Sequence, residues 1–552
     1  MEDFVERMTV LFNADKEHVL NAIDLIIHKE YDLPYVAKYQ KNKIGLLSEN
    51  DLGRLLRQYE DNKILNDIKK RYLTIIEGHY KLHPEGKEPF SKLKNKIEAC
   101  QNKYELEDLY FPFKPKRNNR TTKQATSLGS RLLVENILAA DKNISLDEVI
   151  TKFLNNEKEN KITAEHALEY ASQVLSEKIC ANAELKKIAR NISYETAKII
   201  TKKIGPNNLS TDTGNNQEDP YSDNQQEDIG KVKSNQFMEL RKAEANGLLV
   251  MKIKVDEENI VQTIHNAFLK EYTCHQSIKD WVLSVIKENY LRTISPALEN
   301  EIKLHLKEKS ESELIKGLSN NLQKILITPP LPTANVLGIQ FDGWKNIRAA
   351  FISDKGKILA YTVLNPNIKD FYSKETIEAI ATLKNLIHKY RITYIAIGSG
   401  KGSKDLNRLL AYSLKNKLKN GLIQKYTVNR VGADIIAKEA QVRKEFTDID
   451  ISIISSISIA RRLQNPLTEL SKLDPRDIVL SKNQQDYNII NHEKVLRETI
   501  ISCAHAVGVN LNTASEKLLQ YISGISPDVS RKIVDYRKEE GPFTSKEELN
   551  NI

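Results

Sequence analysis

Apolar residues recur at helical spacing from Met1 to about Lys203. In "DKEHVLNAIDLIIHKEYDLPYVAKY" the apolar positions follow the helical period until Pro34 breaks or starts an element. In "TAEHALEYASQVLSEKICANAELKKIAR", Ala167, Tyr170, Ala171 and Val174 follow the i, i+3, i+4, i+7 stripe, which predicts one packed helix face. The pattern then fails. "GPNNLSTDTGNNQEDPYSDNQQEDIG", Gly205 to Gly230, is Asn, Gln, Asp and Gly with almost nothing to bury, and is expected to be a mobile loop or disordered insertion rather than a binding tail. Helical spacing resumes in "SESELIKGLSNNLQKILI" and stops at "TPPLP", Thr328 to Pro332, because proline lacks the amide donor and clashes with the preceding turn. Short β-rich runs follow: "NVLGIQF", "RAAFIS", "KILAYTVL" and "ITYIAIG", with the helix "KETIEAIATLKNLIHKY" among them. Strands first, then helix and strand in alternation, predict a mixed α/β sheet. From about Pro466 the pattern is helical again. The division expected is a helical region over 1–204, an insertion over 205–235, a further helical region over 236–332, the α/β domain over 333–465 and a helical region over 466–552.

A chain of 552 residues has room for roughly three or four domains. Hydrophobic residues make up 40% and charged residues 28%, with a mean hydropathy of -0.48. No apolar run approaches the ~20 residues of a membrane span. The acidic start "MEDFVERMTV" is unlike a signal peptide, so no membrane partner is expected. Cys100, Cys180, Cys274 and Cys503 lie far apart, with neither zinc spacing nor a disulfide framework. A reducing cytoplasm is the expected compartment. Net charge is +9, which permits phosphate binding. An AT-rich genome, which favours Lys, Asn and Ile together, explains the same composition equally well.

Four phrases carry a family resemblance. "LEDLYFPFKPKRNNRTT", "LPYVAKYQKNKIGLL", "ISIARRLQNPLTELSKLDP" and "HAVGVNLNTAS" are together similar to the signatures of the Tex family of transcription accessory proteins, in the family's order. The resemblance implies a multidomain, mainly α protein with one α/β RNase H-like (YqgF-type) domain and helix–hairpin–helix modules, in an elongated helical architecture. It also implies RNA or DNA, and the transcription machinery, as partners. The family normally adds a C-terminal OB-fold RNA-binding domain; with its last residue at Ile552, the chain is expected to lack it.

RNase H-like nucleases hold magnesium with several converging carboxylates. Aligned on "LGI", the first such position is Gln340, a poor substitute for an ionised carboxylate. Asp342 has the parity to share its face. "ITYIAIGSGKGS" offers no acid at the strand tip, and the helix "SSISIARRL" offers none either. The expectation is no catalytic residue, no metal and no cofactor; a metal-dependent nuclease using Asp342 is the rival reading. "GSGKGSKD" lacks P-loop spacing and reads as a strand-to-helix turn rather than a phosphate cradle.

"LNTASEKLLQYISGISPDVSRKIVDYRKEEGPFTSKEEL" reads as helix, tight turn, helix. Gly524 gives the turn its backbone freedom, Ser526 caps the next helix and Pro527 opens it. Ile522, Ile525 and Ile533 are expected to pack the two helices together. The phrase resembles a helix–hairpin–helix, whose free amides at a helix N-terminus accept a phosphate oxygen; Arg531 and Lys532 add charge one turn on. Such contact reads the backbone, so binding is expected to be sequence-independent and salt-sensitive. The motif usually has glycine where Ser526 stands, and its usual second hairpin is expected to be cut short after Leu549.

In "FKPKRNNR", Lys114, Lys116, Arg117 and Arg120 follow Tyr110, Phe111 and Phe113. Interleaved cations and aromatics suit nucleic acid. The favoured reading is structural: Leu109, Phe111 and Phe113 anchor a stiff connector while the charges are solvated. The candidate nucleic-acid-binding residues are Gly524, Ile525, Ser526, Asp528, Arg531 and Lys532, together with Lys114, Lys116 and Arg117 on the nucleic-acid reading of this segment. Cys274–His275 and Cys503/His505 have no second pair at ligand spacing and read as core or surface residues. A third reading is a protein-interaction scaffold that binds nucleic acid weakly.

Overall fold

The computed structural model describes residues 2–82, 89–114, 130–156, 163–204, 226–331, 333–342, 346–367, 370–400, 402–439, 442–443, 446–479, 492–545 and 547–552. Along the chain run helices α1 (Leu33–Tyr39), α2 (Lys103–Tyr110), α3 (Ala164–Cys180) and α4 (Ala183–Thr196), strands β1 (Lys198–Lys203), β2 (Gln226–Asp228) and β3 (Leu249–Lys254), and the long helix α5 (Ser295–Leu326). Strands β4 (Val336–Asp342), β5 (Asn346–Ile352) and β6 (Ile358–Leu364) follow, then α6 (Lys374–Lys389), β7 (Tyr394–Gly398), α7 (Ser403–Ser413) and β8 (Gln424–Val428). The last elements are α8 (Ile451–Gln464), α9 (His492–Val507), α10 (Glu516–Leu519) and α11 (Pro527–Glu539). The chain forms two compact units, Gln58–Leu314 and Met1–Arg57 with Ile315–Ile552.

The unit Gln58–Leu314 is mainly helical. On α3 the buried stripe is Ala167, Ala171, Leu175 and Ile179, with Val174 partly buried beside it. Tyr170 is only half-buried. Stretches read as helical also hold a three-stranded antiparallel sheet, β2-β1-β3. Its signal is a period of two hidden among lysines: Ile199 and Thr201 point in on β1, and Leu249 and Met251 on β3. Gln226–Asp228 pairs with β1 as an edge strand, so the end of the expected insertion is ordered; residues 205–225 lie outside the described residues.

In the other unit, Pro34 sits in the first turn of α1, and α5 ends at Leu326, just before "TPPLP". The sheet order is β6-β5-β4-β7-β8, with β4, β5 and β6 antiparallel and β7 and β8 parallel to β4. This is the RNase H-like arrangement. Alternation along the strands serves two cores. Leu337, Ile339, Phe341, Ile395 and Ile397 face α6 and α7; Val336, Ala350, Ile352 and Ala396 face α8. Helix α8 comes very close to β4 at Gly338, where an added Cβ would lie 2.0 Å from the Ser456 carbonyl oxygen. The α8 core continues through Leu496, Ile500 and Cys503 of α9 to Leu518, Leu519 and Ile533 of the C-terminal hairpin. No helix among the described residues is long and apolar enough to cross a membrane.

Candidate nucleic-acid interface

Gln340 stands in the middle of β4, opposite Arg348 of β5, and is 4% exposed. Its Nε2 donates to the Ser452 carbonyl oxygen in the first turn of α8, at 3.2 Å. The tip of β7 beside it is closed by packing: a Cβ on Gly398 would stand 2.8 Å from Ile459 Cδ1 and 3.2 Å from Gln340 Cβ. Asp342 pairs in register with Asn346 at the end of β4. Helix α8 begins four residues before the expected "SSISIARRL", and that extension brings in an acid the sequence reading missed. Asp450 is its N-cap, accepting from Ser452 N at 2.8 Å. The hydroxyl and amide of Ser452 hold the Asp450 carboxyl below the usual range. Asp434 accepts from Ser455 Oγ at 2.6 Å and pairs with Arg430 at 3.5 Å. Asp450 thus caps its own helix, and Asp434 ties that helix to the segment before it. Among the described residues, no three His, Cys, Asp or Glu side chains are placed to hold a metal ion.

The stretch "GSGKGSKD" joins β7 to α7, with Gly402 as the helix N-cap at φ +83°. A Cβ there would meet Phe341 Cδ2 at 2.7 Å. The glycine is needed both for its left-handed backbone and for this contact.

At the C-terminal hairpin, α10 is a single turn and the chain bends through Tyr521–Gly524 before α11. The first helix is thus shorter than expected, because Tyr521 N and Ile522 N make three-residue turns to Leu518 O and Leu519 O. Gly524 has φ +92° and its missing Cβ faces open space. Ser526 Oγ accepts from Val529 N at 3.3 Å, and Pro527 opens α11. Ile533 is buried, with Ile522 and Ile525 packed partly buried against the same core. Gly524, Ser526 and Asp528 are exposed, and their backbone amides make no hydrogen bond among the described residues. The hairpin tip therefore presents donors to solvent. Its charges are mixed. Arg531 lies 3.6 Å from Asp528 and 3.9 Å from Glu516, and Lys532 donates to the Ile552 carbonyl at 3.3 Å.

The aromatic–basic segment is anchored differently from expectation. Leu109 and Phe113 pack against Ile76, Leu93, Ile97 and Leu106. Phe111 stays exposed, with the Lys186 ammonium 3.9 Å from its ring centre. Tyr110 takes the buried place, stacked on Tyr72 at 3.9 Å, because the turn of α2 that carries Leu106 inward carries residue 110 with it. Lys114 is paired to Glu107 at 2.6 Å. Lys116, Arg117 and Arg120 lie outside the described residues.

All four cysteines are free and buried. Burial pushes every thiol up, Cys503 to about 12. His275 caps a helix through Ser277 N, and His505 bonds Ser523 Oγ at 3.1 Å. Because the reactive form is the exposed thiolate, a disulfide reagent is expected to modify the native chain at least roughly tenfold more slowly than the chain in denaturant, where four thiols react. A fast native thiol would contradict this burial.

Comparison with known proteins places three families on the chain: "Tex central region-like" over residues 141–318, "Tex protein YqgF-like domain" over 334–464 and "Helix-hairpin-helix motif" over 504–552. An uncharacterised protein of Bacillus subtilis, YdcI, is 29% identical over 97% of this chain and 72% of its own length. An uncharacterised protein of Neisseria meningitidis serogroup A is 30% identical over 94% of this chain and 66% of its own. The transcriptional accessory protein Tex of Neisseria gonorrhoeae is 29% identical over 97% and 68%. The chain thus spans roughly two thirds of the length of these relatives.

Proposed function

The chain belongs to the Tex family of transcription accessory proteins, and on that premise we propose that it binds nucleic acid through its C-terminal hairpin, without sequence preference and without cleaving it. The observation that carries this reading is the exposed tip of α11, where the amides of Gly524, Ser526 and Asp528 stand open to solvent. Three donors at the positive end of a thirteen-residue helix suit a phosphate oxygen. Ser526 keeps its hydroxyl turned to Val529 N, which leaves the tip open despite the side chain. Asp528 lowers the local positive potential, so the contact is a modest one, dependent on backbone amides more than on Arg531. The RNase H-like domain serves as a scaffold. A place beside the transcription machinery is part of this reading, supported by a relative named as a transcriptional accessory protein.

The test is fluorescence anisotropy with labelled single- and double-stranded oligonucleotides at two salt concentrations. Affinity is expected to fall as salt rises and to be independent of sequence. Gly524→Val forces a β-branched residue to φ +92°, a strained backbone. It is expected to weaken binding to both kinds of strand roughly tenfold, a loss of ~1.4 kcal/mol, with the thermal midpoint lowered by a few degrees at most. Unchanged affinity removes the hairpin from the account. Absence of any salt-sensitive binding, with a protein partner recovered instead, replaces this reading with that of an interaction scaffold. Incubation with labelled RNA or DNA and Mg²⁺ or Mn²⁺ is expected to leave the strands intact; cleavage that disappears in Asp342→Ala establishes the nuclease instead.

A further inference from the structure

Strand β6 (Ile358–Leu364) closes one side of the large sheet and pairs only with β5. Among the described residues, no backbone hydrogen bond of Ile358–Leu364 leads anywhere but to β5. Such an edge carries a row of unpaired N–H and C=O groups, and folds blunt it with brevity, charge or proline. The other edges of the two sheets are blunted in this way. β2 has three residues, two of them Glu227 and Asp228. β3 carries Lys252 and Lys254, and β8 has five residues and carries Lys425. β6 has seven residues, "ILAYTVL", with no charge, no proline and no glycine.

Its side chains are left open as well. Leu359, Tyr361 and Val363 are 37%, 50% and 42% exposed. They alternate along the strand, so they share one face. That face is the one that receives α8, because Tyr361 stands opposite Ala350, which packs in the α8 core. The sheet thus ends in an apolar row with free main-chain donors and acceptors beside it.

The sequence of the strand says what fits there. Set antiparallel to a copy of itself about Tyr361, it places Leu359 opposite Val363, Ile358 opposite Leu364 and Ala360 opposite Thr362. Every pair is uncharged, and each residue keeps its own face of the sheet. Moving the centre to Ala360 brings Lys357 opposite Val363; moving it to Thr362 brings Pro366, which has no amide donor, opposite Ile358. One register alone pairs all seven residues.

We propose that β6 is a self-pairing edge, through which a second copy of this chain joins the first about a twofold axis at Tyr361. The sheet then runs on from one copy into the other, and the two apolar rows cover each other. The contact is isologous, as closed dimers require. One strand from each copy is a small interface, so the pairing is reversible at micromolar concentration. This inference is independent of the hairpin reading.

Sedimentation velocity on the full chain, from about 1 to about 200 µM, is expected to show dimer growing with concentration. Tyr361→Lys sets two like charges directly opposite each other and is expected to weaken dimerisation at least roughly tenfold. Disulfide trapping tests the register. Opposed residues of antiparallel strands have Cα atoms about 4.5–5.5 Å apart, within reach of a disulfide, and the four native thiols are buried. Under mild oxidation Tyr361→Cys is expected to link to itself. Leu359→Cys and Val363→Cys are expected to link when mixed and not when alone. A wild-type chain that stays monomeric overturns the proposal, even where the same edge is found to hold an extended segment of another protein. Dimerisation of Tyr361→Lys equal to wild type, or links that follow another register, also overturns it.

Discussion

Replacing Gly338 by valine is expected to unfold the RNase H-like domain or to lower its thermal midpoint by roughly 10 °C or more. Gly338 lies in β4, on the sheet face that receives α8. A Cβ there would stand 2.0 Å from the Ser456 carbonyl oxygen, 2.9 Å from Ala460 Cβ and 3.1 Å from Ala460 N. The first and last of these are helix backbone, which has no rotamer to escape into. The helix must lift from the strand, and with it Ile453, Ile457 and Ala460, all buried in the shared core. Overpacking a core costs about 1–3 kcal/mol where side chains can yield; against backbone the cost is expected to exceed that range, a large share of a domain's ~5–15 kcal/mol. Thermal melts followed by circular dichroism, with limited proteolysis of residues 334–464, measure it. A midpoint within two degrees of wild type would show that α8 is not held so closely.

A second large loss is expected in the other unit from Arg190→Met. The Arg190 guanidinium donates to Asp108 Oδ2 at 2.6 Å and to Glu301 Oε1 at 2.8 Å, and all three residues are buried. Methionine keeps the volume and removes the charge. Asp108 retains Lys186 at 3.2 Å, while Glu301 loses the cation facing it. Breaking one side of a buried pair costs about 3–5 kcal/mol, and that is the destabilisation expected in denaturant unfolding at pH 7. The loss has a pH signature. Burial already raises the Glu301 carboxyl above its ordinary 4.5, with Arg190 working to lower it. Without Arg190 the folded carboxyl rises further. A raised folded value means that the variant's stability is retained below the ordinary value and declines as pH climbs through the folded one. The deficit against wild type is therefore expected to shrink from pH 7 to pH 5. A deficit that is constant over that interval would mean that Glu301 is not the group left bare.

The large sheet was legible in the sequence because its strands are short β-branched runs bounded by Gly and Pro, and its parity followed from alternation alone. The small sheet was not, since β1 and β3 carry lysine at their outward positions and read by composition as helix surface. The Arg190 network was illegible for a different reason: its partners lie 82 and 111 residues away along the chain, and no local period records such a pairing. At the candidate site, Gly524, Ser526 and Pro527 were legible as turn and cap because that chemistry is local. Asp450 was missed because the start of α8 was set too late, at "SSIS".

The amide of Gln340 works as a one-way latch on the central sheet. Its N–H grips the first turn of α8 from the strand. An acid installed at that position would set one electron-rich oxygen against another and release the helix before any divalent ion had other ligands to meet. Residue 340 is therefore tied both to the Gly398 tip, where an added Cβ would lie 3.2 Å from Gln340 Cβ, and to the approach of α8, and a change at any one of the three strains the other two.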